Sequence, residues 1–596
     1  MLGLHVLLLA LLAAAREGLC VPAAQVPLEI SPGISKPRRK LQGRFLHITD
    51  MHPDPYYRVD SSEKKACHRG KPKEGKRPAG TYGLPFSDCD APFLLTNYTL
   101  DFLDREWADE IDFVIWTGDS ARHDNDRRHP RTTAEIYELN RAMARKMEHV
   151  FVRRGIPVVP TIGNNDVWPH NIMMPGPNSI TAELFSIWRA FVPFPSYQVF
   201  QRGGYFSVEV IPDSVAVISL NTMYFYDSNT AVGGCARTDA QDPGNLQFDW
   251  LEVQLQTFRA RGMQVWLSGH VPPSSRNFYS ECYVRYLELS LRFQDTILGH
   301  VYGHMNIDHF FLLDASQLGN GTRSRDMSLA GDDADDETSV LKHKKKELYK
   351  LLLQEFSDLP GAQRLNHDDY AVVNVAPSVI PTYLPSFRIF AYNTTGELYR
   401  AGQLGRAEEQ PGPSRSLKTL AGGLCGQEEH AQSWVCHLEQ PWHSSPESPS
   451  RTNRLWTPLG YAQYTLRKMD TADESHPPKF KLEYLTFPVT ALRPPPEAEG
   501  AADGDADTEA DAGGDAIEDA TVNAKRKFWY PIPRRHLPRP LRNGTITHSK
   551  KYAPYELDDL TIPSWTALAQ RLGHAKAKKL RQRFRRYMYM GADEAT

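Results

Sequence analysis

The stretch Phe45-Leu46-His47-Ile48-Thr49-Asp50-Met51-His52 ends an apolar run on two side chains that bind metals or protons. Alone it says little. Four later stretches repeat the pattern: Val114-Ile115-Trp116-Thr117-Gly118-Asp119, Val158-Val159-Pro160-Thr161-Ile162-Gly163-Asn164, Val265-Trp266-Leu267-Ser268-Gly269-His270 and Val301-Tyr302-Gly303-His304-Met305-Asn306. Each is a short β-branched or aromatic run bounded by turn residues, which reads as a strand. In open α/β sheets, ligand sites gather at the carboxyl ends of strands. Asp50 and His52 flank Met51, so both can bend toward one cation, and the two oxygens of Asp119 can bridge two. Asn164, His270 and His304 supply neutral ligands for the second.

Working outward, the runs at 111–117, 156–161, 215–220, 263–268 and 297–302 alternate with helical segments. A helix capped by Thr132 or Thr133 is expected to reach Arg153, with others over 179–191 and 246–261. Alternation of this kind predicts an α/β layered domain. Two ions about 3.5–4 Å apart activate a bridging water and clamp the oxygens of an in-line displacement. The expected chemistry is therefore metal-dependent hydrolysis of a phosphoester or phosphoanhydride.

Length and composition set the frame. The chain has 596 residues, enough for a large catalytic domain with appendages. Its net charge of -3 gives no global attraction to a polyanion, so any such partner must be met by local basic patches and no nucleic acid is expected. An apolar run over residues 2–15 suits a signal peptide or signal-anchor within 1–22, and the body is expected to be translocated. Sequons at Asn97, Asn320, Asn393 and Asn543 agree with that route. Setting aside Cys20, six cysteines remain, which permit fifteen pairings. Taking sequence neighbours first gives Cys67–Cys89 and Cys425–Cys436, with Cys235–Cys282 as remainder.

The organisation then reads as a catalytic domain over 44–395, a C-terminal extension packing on it over 396–490, a disordered acidic linker over 491–524 and a basic tail over 525–596. Residues 319–338 form an acidic insertion, followed by a helix over 340–356. Strand-like returns lie at 461–467 and 480–487.

Asp50-x-His52, Gly118-Asp119, Gly163-Asn164, Gly269-His270 and Gly303-His304 resemble the ordered motifs of calcineurin-like metallophosphoesterases. Gly118-Asp119-Ser120-Ala121-Arg122-His123 and Pro385-Ser386-Phe387-Arg388-Ile389-Phe390 are similar to the acid sphingomyelinase branch. Within it, His47-Ile48-Thr49-Asp50-Met51-His52-Pro53-Asp54, Arg122-His123-Asp124-Asn125-Asp126 and Tyr302-Gly303-His304-Met305-Asn306-Ile307-Asp308-His309 resemble the fungal endopolyphosphatases. The resemblance covers roughly residues 44–490.

That resemblance implies a β-sandwich flanked by helices (α-β-β-α), with irregular insertions. It implies two divalent metal ions (Mn, Mg, Zn, Co or Fe) held by Asp50, His52, Asp119, Asn164, His270, His304 and Asn306. It further implies endohydrolysis of inorganic polyphosphate by a two-metal-activated hydroxide, in the vacuole lumen or on its membrane through the N-terminal segment. Two departures stand out: Asn165 replaces the family's usual catalytic histidine, and Asn306 replaces a ligand histidine. His123 then becomes the general-acid candidate, with orientation of Asp119 as the structural alternative. His300 and His309 read as structural. Arg122, Arg127, Arg128 and Arg131, just past the catalytic turn, are expected to meet substrate, as are Lys64, Lys65, Arg69, Lys71, Lys73, Lys76 and Arg77 in the loop after the first motif. The competing functions are a phosphodiesterase acting on a lipid headgroup or nucleotide, and a non-catalytic polyanion-binding scaffold.

Overall fold

β1 (Arg44–Ile48) is buried along its whole length. Its run has no polar alternation, so both faces must be covered, as in strands sandwiched between layers. A computed structural model describes residues 40–319, 337–401, 425–493, 531–542 and 545–592. The N-terminal segment, the acidic linker, Asn320 and Asn543 lie outside the described residues.

After β1 the strands are β2 (Pro53–Asp54), β3 (Ala91–Pro92), β4 (Phe113–Trp116), β5 (Val158–Pro160), β6 (Phe206–Ile211), β7 (Val215–Ser219), β8 (Gln264–Ser268), β9 (Ile297–Tyr302), β10 (His309–Asp314), β11 (Tyr370–Val375), β12 (Ser386–Tyr392), β13 (Pro458–Arg467) and β14 (Lys479–Leu485). Two six-stranded sheets result, ordered β14-β13-β12-β1-β4-β5 and β10-β11-β9-β8-β7-β6, beside a small β2-β3 pair. β1, β4 and β5 run parallel in the first sheet, and β7, β8, β9 and β11 in the second. All five motif-bearing strands therefore stop in a common direction within their own sheet.

The sheets face one another through an aromatic core. Phe45 stacks between Phe113 and Phe390 at 4.6 and 4.8 Å, and Trp266 of the second sheet meets its edge at 5.0 Å. Helices cover the outer faces. α1 (Phe93–Glu106) lies on the first sheet, where Phe102 meets Phe387 and Phe480. On the second sheet lie α4 (Pro243–Ala260) and α5 (Ser280–Arg292). Between them in sequence come α2 (Thr133–Val150) and α3 (Ser179–Trp188). The outcome is the expected layered α/β sandwich.

Local chemistry sets the helix starts. The Thr132 side chain accepts from Glu135 N, and Asn178 with Thr181 forms a reciprocal capping box. Asp242 accepts from Gly244 N and Asn245 N ahead of Pro243, so α4 begins before the expected 246. α5 is absent from the periodicity reading because every residue from Cys282 to Arg292 is buried, leaving no polar face.

Two segments read as appendages are built into the sandwich. β13 pairs with β12 and β14 with β13, completing the first sheet. The segment read as a basic tail folds into α7 (Ile562–Gly573) and α8 (Lys578–Met588), after α6 (Glu337–Asp358). Its apolar residues outweigh its charge: Trp565 meets Phe310 at 4.5 Å, and Tyr587 meets Tyr484 at 4.6 Å. The chain leading to α7 bonds to the sheet through Leu485 N to Tyr552 O and Leu557 N to Thr486 O. The disulfides are Cys67–Cys89, Cys235–Cys282 and Cys425–Cys436, the neighbour pairing expected.

Candidate metal centre

The turns leaving β1, β4 and β9 place their ligand-type residues in left-handed backbone. Asp50 (φ 49°), His52 (38°), Asp119 (55°), His304 (68°) and Asn306 (57°) all adopt it, as does Gly118 (91°). Each such non-glycine residue costs about 1–3 kcal/mol and persists where surrounding structure imposes it, commonly at functional sites. The neighbouring glycines permit close approach. A Cβ on Gly163 would stand 2.0 Å from Asp119 Oδ1, and one on Gly303 would stand 2.0 Å from Thr49 Oγ1 and 2.6 Å from Asp50 Oδ2.

Those turns bring the predicted residues together. Asp119 Oδ2 lies 3.4 Å from His52 Nε2 and 3.2 Å from His270 Nε2. Asp50 Oδ1 lies 3.7 Å from His52 Nε2, and Asp50 Oδ2 accepts from His304 N at 3.1 Å. Asn164 Oδ1 is 2.8 Å from His270 Nε2 and 3.0 Å from His304 Nδ1. One carboxylate thus stands between two groups of ligands.

Surrounding bonds aim the lone pairs inward. His52 Nδ1 donates to Ala121 O and His270 Nδ1 to Thr117 O, each at 2.7 Å, so both Nε2 atoms face the centre. Asn164 Nδ2 is taken by His170 Nε2 and Asn171 Oδ1, which turns Oδ1 toward the two histidines. Carboxylate oxygens, imidazole nitrogens and an amide oxygen converging in a buried site call for positive charge among them, as protons or as metal cations. Three of these atoms (Asp50 Oδ1, His52 Nε2 and Asn306 Oδ1) are buried without a hydrogen-bond partner. The donor set of carboxylate, imidazole and amide oxygen fits divalent ions.

The electrostatics agree. Burial disfavours charge on His52 and His270, yet Asp119 and Asp50 outweigh it and raise each to about 9. Burial acts against the Asp119 charge as well, but His270 and His52 hold it well below the carboxylate range. His304, lowered to about 4 by burial and by His270, is a neutral donor.

His123 sits at the rim with its ring stacked on His52 at 4.2 Å. Its Nδ1 bonds Asp90 Oδ1 at 2.7 Å and its backbone N donates to Asp90 Oδ2 at 3.0 Å. Asp90 is fully buried and the sequence reading missed it, because nothing in local spacing ties it to residue 123. Asp166, two residues beyond Asn164, is also fully buried. It accepts from the backbone N of Asp119, Ser120, Ala121 and Gly163, fixing both turns at once.

Asn165 is buried and turned onto Asp119. Its N and Nδ2 donate to the two Asp119 oxygens, each at 2.9 Å, while Arg131 Nη1 grips its Oδ1 at 3.0 Å. Arg122 corrects an expectation. It is buried, its Nε bonds Glu135 at 2.6 Å, and its Nη atoms donate to the carbonyls of His123 and His129, so it anchors the loop and cannot meet substrate. Arg127 and Arg128 are exposed beyond His123. His300 bonds Tyr286 and His309 bonds Ile307 O, both away from the cluster. Asn97 and Asn393 are half-buried, and Asn393 Nδ2 donates to Asn453.

The calcineurin-like phosphoesterase family model matches residues 43–305. An endopolyphosphatase of Cryptococcus neoformans is 39% identical over 621 residues, covering 90% of each chain. The chain belongs to the endopolyphosphatase family of calcineurin-like phosphoesterases. The Schizosaccharomyces pombe endopolyphosphatase is 37% identical, covering 75% of this chain and 79% of its own. The Saccharomyces cerevisiae one is 38% identical, covering 60% and 62%. Among solved structures, a dimetal phosphatase from Danio rerio matches with TM-score 0.32 at 10% identity, covering 59% of this chain and 93% of that one. As a member of this family the protein is a metal-dependent hydrolase, using divalent ions.

Proposed function

We propose that this protein cuts inorganic polyphosphate internally, hydrolysing phosphoanhydride bonds to leave shorter chains. The observation that carries the reading is Asp119 Oδ2, within 3.4 Å of both His52 Nε2 and His270 Nε2, a carboxylate placed to join two cation sites. Asp50, His52 and Asp119 would hold one cation, and Asp119, Asn164, His270 and His304 the other, with the buried Asn306 Oδ1 as a further oxygen. Two divalent ions bound there would lower the pKa of water and neutralise charge on the phosphoryl oxygens.

The protein's own residues do the rest. Asn165, held by Arg131, keeps both Asp119 oxygens in place. His123 is the general acid that delivers a proton to the departing phosphate oxygen, while Asp90 fixes its ring by accepting from Nδ1 and so leaves Nε2 to face substrate. The exposed Arg127 and Arg128 receive the chain. Three disulfides favour an oxidising compartment, consistent with delivery to the vacuole lumen by the secretory route.

The test is to incubate the purified protein with long-chain polyphosphate, with and without chelator, and to size the products by gel. Fragments of intermediate length that vanish with chelator and return with added Mn²⁺, Mg²⁺, Zn²⁺ or Co²⁺ are expected. Turnover of bis(p-nitrophenyl) phosphate with no polyphosphate cutting would move the assignment to a phosphodiesterase.

A further inference from the structure

Internal cutting puts one bond at the metal centre and leaves charged chain on either side, which must rest on protein. The cations expected at the mouth do not all serve: Arg122 is buried on Glu135, and Arg131 is buried on Asn165. Another cationic element starts and ends beside the centre. The loop of residues 55–90 leaves directly after His52 through β2 and returns through Asp90 into β3, with Pro53 paired to Ala91 at its base. Its stems are therefore the residue after-run of one ligand and the partner of His123.

Between positions 62 and 78 this loop carries seven Lys or Arg against two acids, Glu63 and Glu74. Arg69 and Arg77 are engaged by Asp126 and Asp470. Lys64, Lys65, Lys71, Lys73 and Lys76 are all exposed.

Unusual support lies beneath these lysines. Cys67–Cys89 staples the loop to the residue before Asp90. His68 is buried with Nε2 on Asp54 at 2.7 Å and Nδ1 on Asp126 at 2.8 Å. Arg58 N bonds Cys67 O, and Asp60 N and Ala79 N close further bonds to Ala79 O and Ser61 O. A covalent bridge and buried charged partners thus hold in place a surface that presents five exposed lysines. Holding like charges together opposes folding, and a fixed platform reduces the entropy lost when a polyanion is bound.

We infer that this lysine loop is the track on which the polyphosphate chain lies outside the metal centre. The inference rests on the substrate reading above. Cations that meet successive phosphates release counterions, so binding through the track weakens as salt rises.

The test replaces Lys64, Lys65, Lys71, Lys73 and Lys76 with glutamine in the full chain. The readouts are KM and kcat on long-chain polyphosphate at several salt concentrations, and turnover of bis(p-nitrophenyl) phosphate. KM for long polyphosphate is expected to rise about tenfold or more, with a shallower salt dependence, while kcat and the small substrate are unchanged. A control removes Lys576, Lys578 and Lys579 at the start of α8 and is expected to leave KM within about twofold. An unchanged KM and salt slope in the loop variant overturns the track, as does an equal shift in the control. Should the loop variant lose small-substrate turnover, the variant with only Lys71, Lys73 and Lys76 replaced decides by the same criteria. Polyphosphate left intact by the parent overturns the substrate reading itself, whereas cutting by parent and variant alike overturns only the track.

Discussion

Asp90 has no exposed surface and both its oxygens are taken by His123, so its charge serves that histidine. Replacing it with asparagine leaves an acceptor for Nδ1 but removes the charge that steadies a protonated ring. Activity on polyphosphate is expected to fall about 10–100-fold, the usual cost of losing an orienting partner. A phosphodiester with a p-nitrophenolate leaving group, which departs with little help from an acid, is expected to lose far less. Equal losses on both substrates in steady-state assays would reduce Asp90 to a structural role. Gly163 is tested differently, because a methyl there would overlap Asp119 Oδ1 and its backbone N. Gly163→Ala is expected to remove at least about 99% of turnover while circular dichroism stays near the parent spectrum, since the displaced group is the Asp119 carboxylate proposed to join the two cation sites. The ligand-type residues were legible because each ends an apolar run. Asp90 and Arg131 were not, since each acts through a residue more than thirty positions away that only folding brings near.

Strand and helix readings succeeded where one face or one end was chemically marked. β1, β4, β5, β8 and β9 are apolar runs stopped by Gly or Asp, and α2 starts at a threonine cap. β13 and β14 are harder to place from sequence, because more than sixty residues separate β12 from β13 and only pairing shows that they finish the same sheet. Their shared polar cluster has a measurable signature. Gln463 Nε2 of β13 donates to Glu483 of β14 and to Asp308, and Tyr484 also donates to Asp308, which pairs with Arg388 of β12. Burial, reinforced by Asp308, raises Glu483 to about 7 despite the Gln463 bond. A folded-state pKa above the unfolded value near 4.5 means this group's stabilising contribution is complete below that pH and is lost as pH rises through about 7. Glu483→Gln mimics the protonated acid. It is expected to match the parent near pH 4.5 and to exceed its stability at pH 8 by on the order of 2 kcal/mol, read from urea midpoints. A variant that tracks the parent at both pH values would mean Glu483 is charged in the fold.

At the scale of the whole molecule, the question is whether the C-terminal segment is an accessory or part of the core. Its charge makes it look like an accessory: α8 alone carries Lys578, Lys579, Arg581, Arg583, Arg585 and Arg586 with no acid. Its buried residues point the other way. Trp565, Leu568, Ala569 and Leu572 of α7 are at most 1% exposed, and Phe584, Tyr587 and Met588 of α8 are also buried. Phe310 of β10 sits among Phe356, Trp565 and Phe584, so one side of the second sheet is closed by these helices. On the first sheet, Tyr484 is covered by Tyr555 and Tyr587. Tyr589 meets Tyr383 in the segment whose Ile380 N bonds Asp50 O, so the far end of α8 also backs a turn of the metal centre. Burying one large apolar side chain stabilises a fold by about 1.5–3 kcal/mol, and whole domains are stable by only about 5–15 kcal/mol. The six large ones among them therefore exceed what the remaining chain can spare. A protein ending at residue 544 is expected to be insoluble or to lack a cooperative melting transition, and to be inactive. Removing the charges alone, by glutamine at Lys576, Lys578 and Lys579, is expected to leave the melting temperature within about 2 °C of the parent, as surface substitutions do. Cooperative unfolding and retained polyphosphate cutting in the truncated protein would show that the sandwich is complete without α7 and α8.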